Sequence, residues 1–107
     1  MIDTKYTKEE EQIAVFSKAL SHPTRVAILN FLASLDTCYF GEINNELSIS
    51  KATVSQHLTE LKNAGLIQGT IEYPKVKYCI NKENWETAKK VFEKFFNQKS
   101  NQKNKCK

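Results

Sequence analysis

A mainly α-helical fold carrying one small β-hairpin is what this sequence predicts, and three observations predict it. Apolar residues recur at spacings of three and four in the segments up to Ile67 and again after Lys82, the period of a helix with one buried face. The period falls to two in the stretch LIQGTIEYPKVKYCIN, where Val76, Tyr78 and Ile80 alternate with Lys75, Lys77 and Cys79. Between Gly41 and Ile67, two short amphipathic segments are separated by the three-residue break Ser48-Ile49-Ser50.

In chain order, Thr7 to Leu20 is the first helix: Thr7 with Glu10 fits a capping box, Glu9 to Glu11 suit the positive end of the helix dipole, and Ile13, Phe16 and Leu20 form a stripe. His22 precedes Pro23 as an N-cap or polar turn residue, and Pro23 opens a second helix where its missing amide costs little. Val26, Ile28, Leu29, Phe31 and Leu32 make that helix apolar on most sides, the centre of the core. Phe40, Ile43 and Leu47 then predict a two-turn helix. After the break, Ser50 is a suitable N-cap for a further helix whose inner face is Val54, Leu58 and Leu61, and Gly65 is its left-handed stop.

The period-two stretch is a hairpin turning near Tyr73-Pro74-Lys75, where proline serves a turn but not a central strand. A two-stranded ribbon needs a surface to pack on, so one face meets the helices and the lysine face stays outside. A helix-turn-helix followed at once by such a hairpin is a winged helix-turn-helix. The final helix, from about Lys82 to Gln98, aligns Trp85, Ala88, Val91, Phe92, Phe95 and Phe96. That aromatic surplus exceeds what a small core takes up from its far end, so Ile13, Phe16, Trp85, Phe92, Phe95 and Phe96 are read as a homodimer surface formed by the terminal helices. A ligand pocket is the other reading of the same stripe. Residues 1–97 make one winged helix-turn-helix and dimerisation domain, and 98–107 a basic, disordered tail.

The outer face of the helix after Ser50 carries Lys51, Thr53, Ser55, Gln56, Thr59 and Lys62. Solvated helix faces are usually rich in Glu and Lys, whereas short hydroxyls and an amide suit phosphate oxygens and base edges. Charge supports this only locally. Of sixteen Lys and Arg, four (Lys99, Lys103, Lys105 and Lys107) follow Phe96 with no acid among them, leaving a body of twelve cations against twelve acids. From Ser50 to Ile80, however, Lys51, Lys62, Lys75 and Lys77 face Glu60 and Glu72 alone, a mildly basic surface. With 107 residues, 40% hydrophobic composition and no apolar run near the roughly 18 residues that cross a bilayer, a soluble cytoplasmic protein is expected. The polar N-terminus lacks the pattern of a signal or transit peptide. No glycine-rich loop, paired carboxylates or Ser-His-Asp set points to an enzyme.

LSHPTRVAILNFLA, followed by GEINNELSISKATVSQHLTELKNAGLI, a lysine-bearing hairpin and an amphipathic end helix, resembles the ArsR/SmtB family of dimeric winged-helix repressors over about residues 10 to 97. The resemblance implies a homodimer on double-stranded operator DNA, released when a metal ion, metalloid or sulfur oxidant is sensed. Carried over by position, Ser50, Lys51, Thr53, Ser55 and Gln56 would face the major groove, His57 would lie near the backbone, and Lys75 and Lys77 would reach an adjacent groove. The alternatives from the residues alone are a winged-helix module that docks proteins, or a related regulator with no metal response.

The sensor does not carry over. The family's CxC pair falls on Tyr39 and Gly41, with Cys38 displaced by one; the thiol-sensor position in the second helix is Asn30; and no His follows His57 to build the zinc site on the last helix. Three widely spaced cysteines, Cys38, Cys79 and Cys106, argue against a disulfide framework. Cys38 is either a thiolate ligand or redox sensor, joined by Cys106 across a dimer in a soft-metal or disulfide site, or with Cys79 and Cys106 in a three-thiol metalloid site if the tail folds back, or a small apolar residue capping the core. Cys79 is expected on the hairpin face opposite Val76, Tyr78 and Ile80.

Overall fold

Thr7 starts the first helix as expected: its hydroxyl accepts from the Glu10 amide at 3.0 Å while the Glu10 carboxylate accepts from the Thr7 amide at 2.9 Å. The computed structural model describes residues 5–72 and 75–102, with backbone alone for 70–72 and 75–76. Among these, α1 (Lys8–Ala19), α2 (Pro23–Ala33), β1 (Tyr39–Phe40), α3 (Ile43–Glu46), α4 (Lys51–Asn63), β2 (Ile67–Glu72), β3 (Lys75–Ile80) and α5 (Lys82–Phe96) follow in order. His22 caps α2, its Nδ1 accepting from the Thr24 amide at 3.0 Å. Ser50 caps α4 by accepting from the Thr53 amide at 3.3 Å, and Gly65 ends it with φ +82°. A Cβ at Gly65 would stand 2.7 Å from Asn84 Nδ2, the amide that donates to the Gly65 carbonyl at 2.9 Å and so ties the start of α5 to the end of α4.

The core gathers around α2. Ile28, Leu29 and Leu32 meet Phe16 of α1, Ile43 of α3, Val54, Leu58 and Leu61 of α4, Leu66 and Ile67 at the start of the hairpin, and Val91 of α5. The three strands form one antiparallel sheet in the order β1-β3-β2, with Ile67 opposite Ile80 and Tyr39 opposite Tyr78. No helix among the described residues is long and apolar enough to cross a membrane.

Four expectations change. The two-turn helix from Phe40 to Leu47 shrinks to the four residues of α3, because Phe40 pairs with Lys77 in the sheet and Gly41, at φ +132°, turns the chain before the helix starts. Phe40 is therefore 61% exposed and not on a buried stripe. Phe16, expected at a subunit surface, is only 5% exposed, because its own chain's core takes it up. The argument against a disulfide also fails: Cys38 is bonded to Cys79. Continuing the register of Tyr39 with Tyr78 and Phe40 with Lys77 places Cys38 opposite Cys79, and their Cα separation of 4.4 Å is that of the closer pair type in an antiparallel ladder, about 4.5 Å. The expected turn falls on residues 73 and 74, outside the described residues.

Candidate nucleic-acid interface

Helix α4 has two chemically distinct sides. Val54, His57, Leu58 and Leu61 are buried, and Leu61 is fully enclosed. Lys51, Thr53, Ser55, Gln56, Thr59 and Lys62 are all exposed, so the polar face read from the sequence is presented to the outside. Lys51, Ser55, Thr59 and Lys62 line one trough whose other wall includes Gly69 and Tyr78 of the sheet. The trough thus runs between helix and hairpin. Thr53 and Gln56 are exposed outside it.

Local hydrogen bonds set several of these side chains. The Ser50 hydroxyl, besides capping the helix, donates to Thr53 Oγ1 at 2.7 Å, and Thr59 donates to the Ser55 carbonyl at 3.0 Å, one turn back. Lys51 Nζ lies 3.2 Å from Glu42 Oε1. That pair is open to solvent, so it orients Lys51 at small energetic gain. Among the described residues, Gln56 and Lys62 carry no such local tie in their exposed positions. Lys77 is exposed on the outer face of the sheet, its Nζ 5.7 Å from the Phe40 ring centroid. Lys75 begins β3 opposite Glu72; its side chain lies outside the described residues.

His57 parts from the others. It is 7% exposed, turned toward the start of α2, where its Nδ1 accepts from Arg25 Nε at 3.1 Å and its ring lies 4.4 Å from that of His22. Burial above all, then the neighbouring His22 and the Arg25 guanidinium, hold its pKa below the ordinary histidine value, with Glu60 opposing. Arg25 also donates to the Lys18 carbonyl at 2.9 Å near the end of α1. One guanidinium therefore ties α1 and α2 to the inner side of α4. Arg25 has no role legible in the sequence beyond its place in LSHPTRVAILNFLA, because a partner 32 positions away leaves no local spacing to read.

The metal-ligand reading does not fit the described residues. No group of three or more His, Cys, Asp or Glu converges among them, Cys38 is bonded to Cys79, and Cys106 lies outside them. Of the expected subunit surface, Ile13, Trp85 and Phe92 are half-buried, while Phe95 and Phe96 are 46% and 74% exposed.

Comparison with known proteins agrees with this geometry. Residues 22–68, from the cap of α2 into β2, match the family model described as bacterial regulatory protein, arsR family. The HTH-type transcriptional regulator YgaV of Escherichia coli is 34% identical over 73 residues, 68% of this chain and 74% of YgaV. CmtR of Mycobacterium tuberculosis, also an HTH-type transcriptional regulator, is 38% identical over 72 residues, 66% of this chain but 59% of CmtR. The NMR structure of CmtR, described as a cadmium metal-sensor, aligns with a TM-score of 0.54 at 27% identity, covering 85% of this chain and 94% of that one. HlyU of Vibrio cholerae aligns with a TM-score of 0.65 at 25% identity over 87% of this chain and all of HlyU.

Proposed function

The chain belongs to the arsR family of bacterial regulatory proteins, DNA-binding transcription regulators with a winged helix-turn-helix, and from that premise we propose that it is a homodimeric repressor that leaves its operator on a chemical signal. The observation that carries this reading is the two-sided α4. Its inner side is locked into the core by Leu61, Leu58 and the Arg25 to His57 bond, while its outer side offers hydroxyls, an amide and two lysines beside the wing. A rigid helix with a solvent-facing polar strip suits the major groove, where side chains reach base edges.

In this reading Gln56 contacts a base, Ser50, Lys51, Thr53, Ser55, Thr59 and Lys62 serve phosphates and base edges, and Lys75 and Lys77 anchor the wing on the flanking backbone. His57 positions the helix from behind. Two copies joined through the ends of α5, where Phe95 and Phe96 stand exposed, would present two reading helices to a two-fold site. Residues 1–97 serve as the working unit and the basic tail 98–107 as a secondary attraction to DNA. Of metal, metalloid and thiol-redox signals, the bonded cysteine pair favours the last, with reduction of the pair as the releasing event. Gel retardation of the protein's own promoter fragment at two salt concentrations tests the reading. Retardation that weakens steeply with salt is expected, and none even at low salt would overturn it.

A further inference from the structure

We propose that Cys38 and Cys79 form a reversible dithiol-disulfide couple built into the DNA-reading head, and that the bonded state tightens operator binding by holding the wing against the connection between α2 and α3. The proposal rests on the DNA-binding reading above. It places the chemistry away from the positions at which the family resemblance expects sensors, which this chain fills with Tyr39, Gly41 and Asn30.

Three features of the fold carry it. First, the pairing is set by the sheet: β1 contributes two register pairs with β3, and the next step of the same register brings Cys38 and Cys79 face to face. Two thiols released by reduction would remain neighbours for as long as the ladder holds. Second, the bond lies on the outer face of the sheet. Tyr39 and Tyr78 pack against the core, so the alternation of a strand sends Cys38, Phe40, Lys77 and Cys79 to the other side. Phe40 and Lys77 are exposed there, and both cysteines are half-buried, within reach of small oxidants and thiols. Third, the bond spans 41 positions of chain and encloses α3, α4, β2 and most of β3. Without it, β1 is held to β3 by two residues; with it, recognition helix and wing share one closed loop. Lys77 stands two residues from Cys79 on the same face.

The chemistry balances with hydrogen peroxide as oxidant. One thiolate attacks the peroxide O–O bond, giving a sulfenic acid and, after protonation of the leaving hydroxide, water. The second thiolate attacks that sulfur, forming the S–S bond as the S–O bond breaks and expelling hydroxide, which takes up a proton to become the second water. Two electrons pass from the sulfurs to the peroxide oxygens. A low-molecular-weight thiol reverses the step by exchange through a mixed disulfide, leaving its own disulfide as the oxidised product. Fixing the wing and α4 in one arrangement before DNA arrives reduces the ordering cost of binding.

The test uses the full chain carrying Cys106→Ser, so that neither thiol can pair with the tail. After peroxide, peptide mass mapping should find the peptides containing Cys38 and Cys79 joined, and dithiothreitol should part them. Fluorescence anisotropy with a labelled promoter fragment should show the oxidised protein binding about 5-fold or more tighter than the reduced, the lower end of typical coupling between sites. Adding Cys79→Ser should leave the reduced-state affinity under both conditions, and Cys79→Ala should match it. Equal affinities in the two redox states, weaker binding by the oxidised protein, or failure to find the joined peptides would each overturn the proposal. Binding in neither state at low salt would overturn the DNA-binding reading and the affinity claim with it, while joined peptides would show that the couple itself exists.

Discussion

The reading head, residues 38–80, and the terminal helices α1 and α5 use their apolar residues in opposite ways. In the head, Ile43, Val54, Leu58, Leu61 and Ile67 are all buried within one chain, and the Cys38–Cys79 bond closes the segment that holds them. In α5, with Trp85, Phe92, Phe95 and Phe96 all available, the buried residue is Val91. Phe96 stacks near Phe92 at a ring separation of 6.4 Å and meets Phe95 edge-on at 5.0 Å, yet both Phe95 and Phe96 remain open. The head's shape is therefore specified by its own sequence, whereas the far end of α5 leaves apolar surface uncovered by its own chain.

Mutations can break that contrast, and the largest effect is expected in the head. Leu61 has no exposed surface, so Leu61→Ala should lower unfolding stability by about 2 to 5 kcal/mol in urea denaturation, the cost of a buried leucine cavity. A loss well under about 1 kcal/mol would show that the head is loosely packed. Phe96→Ser should do the reverse, leaving the unfolding of the monomer nearly unchanged while weakening self-association by roughly 2 kcal/mol or more, as loss of an aromatic anchor does. Sedimentation equilibrium reads this. If Phe96→Ser instead destabilised the fold as Leu61→Ala does, the terminal helices would be part of the same core and the contrast would be gone.

Within the head, the same distinction sharpens to the outer face of α4. Gln56→Ala should relax preference at one base position by roughly 1 to 3 kcal/mol if its amide reads a base. Lys62→Ala should weaken all sequences alike and reduce the salt slope by about one. Competition binding against single-base operator variants separates them. The same pattern from both would mean that the face binds phosphate alone.

How far the sequence disclosed this fold depended on how local each cause is. The caps Thr7 and Ser50, the proline at the start of α2 and the positive φ of Gly65 arise from residues a few positions apart, and each is where the pattern put it. The two-sided α4 was legible because a helical period sorts it. What stayed hidden depends on distant partners. Strand β1 has only two residues and exists because β3 lies beside it; Cys38 meets Cys79 for the same reason. Phe16 was misplaced because a stripe on α1 cannot say which apolar residues turn to α2 and which stay outside. Arg25 and His57 are joined across 32 positions.

That last pair supplies the smallest effect. Burial, the His22 ring and the Arg25 guanidinium hold the His57 pKa below its ordinary value of 6.5, so the folded protein resists a proton that the unfolded chain accepts. The unfolded state then binds more protons in the window just below the ordinary value, and stability must fall as pH drops through it. Above that window the neutral imidazole costs nothing, and Nδ1 is free to accept from Arg25. Thermal unfolding at about pH 7 and about pH 5 should therefore show a lower midpoint at the acid value, and His57→Gln should shrink the difference. Glu9, whose pKa is lowered through its hydrogen bond and charge pairing with Lys94, acts in the same direction but near the ordinary carboxylate range, at lower pH. A His57→Gln profile identical to the parent between the two values would mean that the proton avoided by the fold belongs to another group, and that the Arg25 to His57 bond does not set the inner side of α4.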